Sequence, residues 1–284
     1  MASGLDIIKN TLGLHDEGGN KLSGKSSKYT LFNETQNKII IAKNIELEYI
    51  RNRPVLKDLS FDVEKGEIFV IMGPSGSGKS VLLKHLIGLE APDEGEILIN
   101  GESIQSSEVA AKYRMALVFQ SGALLSSLTV GENVGLYLTE HRLKPPEEIA
   151  RIVAEKLEAV GLKDTADKMP NELSGGMKKR AAIARALVID PQLILYDEPT
   201  SELDPLSAAV IGREIVKLKQ RIHVTSLVVS HDRDLAFGIA DRIAVINEGR
   251  LLTIGTPEEV RQFNDPTLQK FLHADFQHES PSSL

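Results

Sequence analysis

Gly73-Pro74-Ser75-Gly76-Ser77-Gly78-Lys79-Ser80 is the stretch of this 284-residue sequence that decides the fold. It satisfies G-x-x-x-x-G-K-[ST] at every fixed position. The apolar run Ile68 to Met72 precedes it, and a helical pattern with Leu82, Leu83, Leu86 and Ile87 runs from Ser80 to Leu89. Strand, glycine loop and helix in that order make a cradle for phosphate. The glycines let backbone N–H groups turn inward onto an anion, and the helix start at Ser80 and Val81 adds partial positive charge. Lys79 is placed to reach the β- and γ-phosphates of a nucleoside triphosphate, and the Ser80 hydroxyl to ligate Mg²⁺.

Upstream, Ile39 to Ala42, Ile45 to Tyr49 and Leu59 to Val63 are short runs rich in β-branched and aromatic residues, and so read as strands. Ile97 to Ile99 and Leu117 to Phe119 add two more. Downstream, Pro145 and Pro146 suit a helix start and Gly161 its end, with Ile149, Ile152, Val153, Leu157 and Val160 on one face. An Ala-rich helix follows from Gly175 to Val188. Buried-strand runs return at Leu193 to Tyr196, Ser226 to Val229 and Ile243 to Ile246, with helices between them. Such alternation predicts a mostly parallel sheet covered on both faces. Residues 1–38, rich in Gly, Asn, Lys and Ser, read as an N-terminal extension with a possible short docking helix around Leu5 to Ile8. The main domain is expected over 39–262, and a polar C-terminal tail with Phe263, Phe271 and Phe276 over 263–284.

Leu193-Ile-Leu-Tyr-Asp197-Glu198 is an apolar strand ending in two carboxylates. An Asp-Glu pair alone reads as a solvated acidic turn. After this strand, and with the phosphate loop upstream, Asp197 is placed to hold Mg²⁺ and Glu198 to polarise the attacking water as general base. Open parallel sheets put ligand chemistry at these strand ends. His231 follows the strand Leu227 to Ser230 and is placed near the γ-phosphate and the water. Gln120 follows Leu117 to Phe119, where its amide can ligate Mg²⁺ and sense the γ-phosphate.

The net charge of −7 argues against a chain whose main task is to grip nucleic acid. The absence of cysteine removes disulfides and thiolate metal sites. No apolar run approaches the roughly 18 residues of a membrane span, and the N-terminus lacks a secretory core. A cytoplasmic chain is expected, meeting a membrane only through a partner.

Leu173-Ser174-Gly175-Gly176-Met177, just upstream of the Asp-Glu strand, resembles the signature sequence of ABC ATPases. The resemblance covers about residues 39 to 262. It implies an α/β P-loop NTPase cassette with a RecA-like core, an N-terminal antiparallel β subdomain and an α-helical subdomain inserted over about 121–185. By the same resemblance Tyr49 matches the adenine-stacking aromatic, Gln120 the Q-loop, Ser201-Glu-Leu-Asp204 the D-loop and His231 the switch histidine. Ser174, Gly175 and Gly176 form a second N–H-rich helix start, for which one chain supplies no second nucleotide. The family answers this with a head-to-tail homodimer, in which each signature caps the γ-phosphate held by the opposite phosphate loop. Met177 stands where Gln is usual, and Glu202 where the D-loop often has a small residue.

Met177, the segment Phe119-Gln-Ser-Gly-Ala-Leu-Leu-Ser-Ser-Leu-Thr-Val-Gly-Glu-Asn-Val134 and Asp265-Pro-Thr-Leu-Gln-Lys-Phe-Leu272 are similar to the ATPase subunits of MCE-associated (Mla-type) phospholipid transporters. That resemblance implies ATPase turnover on the cytoplasmic face of a bacterial inner membrane, beneath two permease subunits, with an MCE lipid-binding protein as a further partner. It also implies a permease groove near Gln120 to Leu138; Leu124, Leu125, Leu128 and Val130 are candidates either to line it or for ordinary core packing. The alternatives are the ATPase of a small-solute importer and a soluble ABC ATPase of translation or DNA repair. The first often carries an added C-terminal regulatory domain. The second usually fuses two cassettes or inserts a long coiled coil, and neither feature is seen here.

Overall fold

The computed structural model describes residues 37–50, 53–106 and 108–273. Residues 1–36 of the expected extension, including the Leu5 to Ile8 stretch, lie outside the described residues, as does the tail from 274 onward with Phe276. Within them lie a six-stranded and a four-stranded sheet.

The six-stranded sheet runs β10 (Arg250–Gly255), β9 (Arg242–Asn247), β3 (Ile68–Met72), β8 (Thr225–Ser230), β7 (Leu193–Asp197) and β6 (Met115–Val118). β3, β6, β7, β8 and β9 are parallel, and β10 is antiparallel on the edge. Alternate residues of the central strands feed two separate cores, as a period of two requires. Ile68, Val70 and Met72 pack with Ile194, Tyr196 and Val228 on one face. Phe69 and Ile71 pack with Leu193, Leu195, Leu227 and Val229 on the other. A strand buried on both faces has no place for polar residues until it emerges, which is why the charged groups gather at the strand ends.

The second core is closed by α1 (Lys79–Leu86) and by the antiparallel sheet β2 (Arg53–Glu64), β1 (Lys38–Ile50), β4 (Glu94–Ile99) and β5 (Glu102–Ser103). The first is closed by α3 (Val130–Glu140), α4 (Pro146–Ala159) and α5 (Gly175–Leu187), then by α6 (Pro205–Ile222) and α7 (Arg233–Ile239). Short helices α2 (Val109–Lys112), α8 (Pro257–Gln262) and α9 (Pro266–Leu272) complete the described chain.

Some elements differ from the sequence expectation. The two strands expected at 39–42 and 45–49 are one strand, whose register with β2 shifts between Ala42 and Ile45; Asn44 there has φ +49°. The 130–140 helix and the edge strand β10 carry no counterpart in the expected pattern. Part of the expected polar tail folds back as α9, with Leu268 fully buried and Phe271 packed on the first core. Of the residues read as either groove lining or core, Val130 is fully buried in the core and Leu124 packs against that core, whereas Leu125 is exposed. A surface hollow in that region is instead lined by Met115, Leu117, Phe119, Leu136, Tyr137 and His141.

Candidate active site

The phosphate loop leaves β3 at Gly73, where a Cβ would lie 2.0 Å from the Ile246 carbonyl oxygen, so the loop can start here only without a side chain. Gly78 (φ +99°) is packed against Val55 and Leu56, whereas a Cβ on Gly76 (φ +79°) would meet nothing within 4 Å. The loop is therefore anchored on its protein side and open at Gly76. Pro74 is half-buried and Ser75 exposed. Ser77 N–H donates to the Pro74 carbonyl at 3.3 Å, and the Ser77 hydroxyl is buried with no hydrogen-bond partner. Val81 follows Ser80 in the first turn of α1.

Lys79 is only 5% exposed. Its ammonium donates to the carbonyls of Gly73 and Pro74, both at 2.9 Å. Among the described residues it has no ion-pair partner. Burial pushes its pKa below the usual lysine value, against the pull of Glu198 and Asp197. A buried ammonium held only by neutral oxygens, with a third N–H to spare, fits a phosphate.

Ser80 Oγ donates to Asp197 Oδ1 at 3.2 Å, bringing the start of α1 to the end of β7. Burial raises the Asp197 carboxyl above its ordinary pKa, with the Ser80 hydrogen bond opposing it. Hydroxyl and carboxylate side by side are hard oxygen donors of the kind that would suit Mg²⁺.

Glu198 has φ +44° and is followed by Pro199, which disfavours right-handed helical backbone at the preceding residue. Its N–H is held by the Val229 carbonyl at 2.9 Å. Such a conformation costs about 1 kcal/mol or more outside glycine. Here it turns the side chain back across β8. Ser230 Oγ (3.1 Å) and the His231 N–H (3.2 Å) donate to Glu198 Oε2, and His231 Nδ1 lies 2.9 Å from the same oxygen. The carboxylate is largely buried, whereas the imidazole is half exposed and reaches solvent.

Gln120 follows β6 on the surface, and its carbonyl accepts from Lys179 Nζ. The following loop is held by Arg185, which donates to the carbonyls of Gly122 (2.8 Å) and Ala123 (2.6 Å). Neither Lys179 nor Arg185 is marked by any motif spacing, because each cation acts mainly on backbone carbonyls, with the Ser201 hydroxyl as a further partner of Lys179.

Tyr49, near the end of β1, is 54% exposed, and its hydroxyl is hydrogen-bonded to Glu90. This bond is the main reason its phenol pKa is raised. Ser174 caps α5, accepting from Met177 N–H at 3.3 Å. Gly175 and Gly176 sit against Leu203 and Ser207 at the start of α6. The Asp204 carboxylate caps α6 by accepting from Leu206 and Ser207 N–H, both at 3.0 Å. In this chain Asp204 thus serves its own helix. The phosphate loop, Asp197, Glu198 and His231 are brought together, with Gln120 tied to them through Lys179. Among the described residues, no hydrogen bond joins the Tyr49 or Ser174 side chain to that cluster.

A phosphate loop and an acidic strand end on one parallel sheet define a nucleoside-triphosphate hydrolase, and the N–H-rich start of α5 beside the α6 cap narrows it further. Residues 56–201 match the ABC transporter family, and the chain belongs to that family: it is an ATP-binding, ATP-hydrolysing cassette. It is 42% identical over 228 residues to the intermembrane phospholipid transport system ATP-binding protein MlaF of Haemophilus influenzae, covering 79% of this chain and 86% of that one. It is 40% identical to the probable ribonucleotide transport ATP-binding protein mkl of Mycobacterium leprae, covering 77% and 64%. Its structure superposes on the dimeric ABC cassette MJ0796 in a post-hydrolysis state bound to ADP and Pi, with a TM-score of 0.69 and 33% identity, covering 77% of this chain and 98% of that one.

Proposed function

We propose that this chain powers phospholipid transport across a bacterial envelope as one of two ATPase subunits in a transporter. The observation that carries the hydrolytic part is the convergence of Lys79, the Ser80–Asp197 pair and the Glu198–His231 pair at the C-terminal ends of β3, β7 and β8. Identity to MlaF supports phospholipid as the cargo.

In this reading the loop Gly73 to Ser80 and the α1 start at Val81 wrap the phosphates of ATP, and Lys79 turns its free N–H to the β- and γ-phosphates. Tyr49 stacks on the adenine. Ser80, Asp197 and the Gln120 amide would hold Mg²⁺, which would supply positive charge against that building on the phosphate. Glu198 takes a proton from the attacking water. His231 keeps the carboxylate turned toward that water. Ser174, Gly175 and Gly176 of a second copy cap the γ-phosphate from the far side, and the loop ending at Asp204 lies at the seam. ATP favours the closed pair because only that pair completes its contacts; hydrolysis removes the preference.

Among the described residues no helix is long and apolar enough to cross a membrane. The inner membrane is reached through permease subunits seated at the hollow lined by Phe119 and Tyr137, with an MCE protein beyond them. Purification of the native assembly and identification of its neighbours tests the cargo. A co-purifying MCE protein supports lipid transport, and a periplasmic solute-binding protein in its place overturns it in favour of small-solute import. Nucleotide bound by one subunit alone in the ATP-loaded Glu198→Gln assembly would overturn the paired arrangement.

A further inference from the structure

Lys179 is 6% exposed, in α5 one turn beyond the Ser174-Gly175-Gly176 start. Its ammonium spends its three donors on three different segments. It donates to the Gln120 carbonyl, to Ser201 Oγ at 3.1 Å and to the Glu198 carbonyl at 3.4 Å. Gln120 follows β6, Glu198 follows β7, and Ser201 belongs to the loop that leads to Asp204 and the α6 cap. Among the described residues Lys179 has no ion-pair partner. Burial lowers its pKa, while Glu202, Glu198 and Asp197 favour its charge from further away.

A buried cation solvated by neutral oxygens costs more than an apolar side chain of equal length. Folding alone therefore gives no reason for an ammonium at this place. The position supplies one. Two of its three partners are peptide groups of the residues whose side chains face the γ-phosphate and the water, and the third lies in the loop packed against the α5 start. Gly175 and Leu203 approach so closely there that a Cβ on the glycine would sit 3.3 Å from Leu203 Cδ2. A shift of α5 cannot leave Gln120 and Glu198 where they are without breaking charge-assisted hydrogen bonds.

We propose that Lys179 is a positioning residue that couples the α5 start, which meets the nucleotide of the second copy, to Gln120 and Glu198 in its own chain, so that each ATP site feels the state of the other. This rests on the paired arrangement proposed above. Capture of the distant nucleotide pulls on α5, and Lys179 passes the displacement to the general base and the metal-ligating amide. The coupling is a free-energy link between two sites and is reciprocal.

The full chain carrying Lys179→Met, Lys179→Arg or Lys179→Gln is assayed for ATP turnover over a range of ATP concentrations, for ADP affinity and for thermal unfolding. Lys179→Met is expected to lower kcat by about tenfold or more, the scale of a lost charged hydrogen bond, with ADP affinity held within about twofold. Its Hill coefficient falls toward one, whereas Lys179→Arg, which keeps charge and donors, retains more of both kcat and cooperativity. Should Lys179→Met fail to fold, Lys179→Gln, neutral but still a donor, carries the same expectation. Turnover within twofold of the parent, an unchanged Hill coefficient, an equal loss of ADP affinity, or equal losses in the Met and Arg variants each overturn the proposal. Glu198→Gln run in parallel separates the two readings. If it stops turnover while Lys179→Met runs at full rate, only the coupling fails; if it keeps turnover, the hydrolytic reading itself falls.

Discussion

His231 Nδ1 lies 2.9 Å from Glu198 Oε2, a contact that ties the ends of the neighbouring strands β7 and β8. Glu198 also accepts from Ser230, the last residue of β8, and from the backbone of His231 just after it. Glu198→Gln keeps size and much of the hydrogen bonding while removing the base. Turnover is expected to fall by about 100-fold or more with ATP affinity retained, and ATP should then hold two copies together. Steady-state phosphate release and size-exclusion chromatography with and without ATP check both parts; wild-type turnover would remove Glu198 from its role.

Lys79 is buried in the phosphate loop without a carboxylate partner. Lys79→Ala removes the side-chain cation proposed to meet the phosphates and should weaken ATP binding by about tenfold or more. Titration with a fluorescent ATP analogue reads this directly, and unchanged affinity counts against the cradle.

Tyr49 is exposed and held by Glu90, so its ring stands ready for an aromatic partner. Tyr49→Ala is expected to cost about five- to tenfold in ATP affinity, the scale of one aromatic stack. Tyr49→Phe keeps the ring and should lose far less. Equal losses in the two variants would point to the hydroxyl and not to stacking.

Ser80 and Asp197 offer hard oxygens to a divalent cation. Removing Mg²⁺ with EDTA should abolish turnover, and adding Mg²⁺ back should restore it, because the γ-phosphate charge then lacks its counterion. Asp197→Asn is expected to raise the Mg²⁺ concentration needed for half-maximal rate. An unchanged Mg²⁺ requirement excludes Asp197 as a ligand.

Tyr137, 41% exposed, lines with Phe119 the hollow proposed above as the permease seat. Tyr137→Asp should abolish co-purification of permease subunits while basal ATP hydrolysis stays within about twofold of the parent, since a surface substitution away from the site leaves folding nearly untouched. Retained co-purification moves the docking surface elsewhere.

The strands that carry the site were legible in the sequence because both their faces are buried. Ile68 to Met72 and Leu193 to Tyr196 have no polar residue to obscure them until the Asp-Glu pair. Elements with mixed demands were harder to read. The 130–140 helix contains Gly131, Gly135 and β-branched residues that lower helix propensity. Its best signal, the Thr129 to Glu132 capping box, is local and easily missed. Gly135 is there for tertiary reasons: a Cβ would lie 3.0 Å from Ile149, so glycine lets the neighbouring helix approach. β10 follows a turn in which Glu248 and Gly249 both have positive φ, a hairpin signal carried by two residues. The gap left between the runs ending at Ala42 and starting at Ile45 is a register shift within one strand. The links made by Lys179 and Arg185 could not be read at all. Apart from the Lys179 bond to the Ser201 hydroxyl, they join a helix to carbonyls, and carbonyls have no letter in the alphabet.

Strand β3 has one further consequence, for synthesis. Its hydrogen-bonding neighbours are β8 on one side and β9 on the other, with Ile68 beside Ser226 and Phe69 beside Arg242. When the glycine loop emerges from the ribosome, the strands that flank β3 have not yet been translated. Long-range parallel pairing of this kind is slow and leaves apolar edges open while it waits. ATP can therefore recognise this polypeptide only once nearly all of the described fold has been made, and nucleotide capture by a nascent chain would mark the completion of folding, not its beginning.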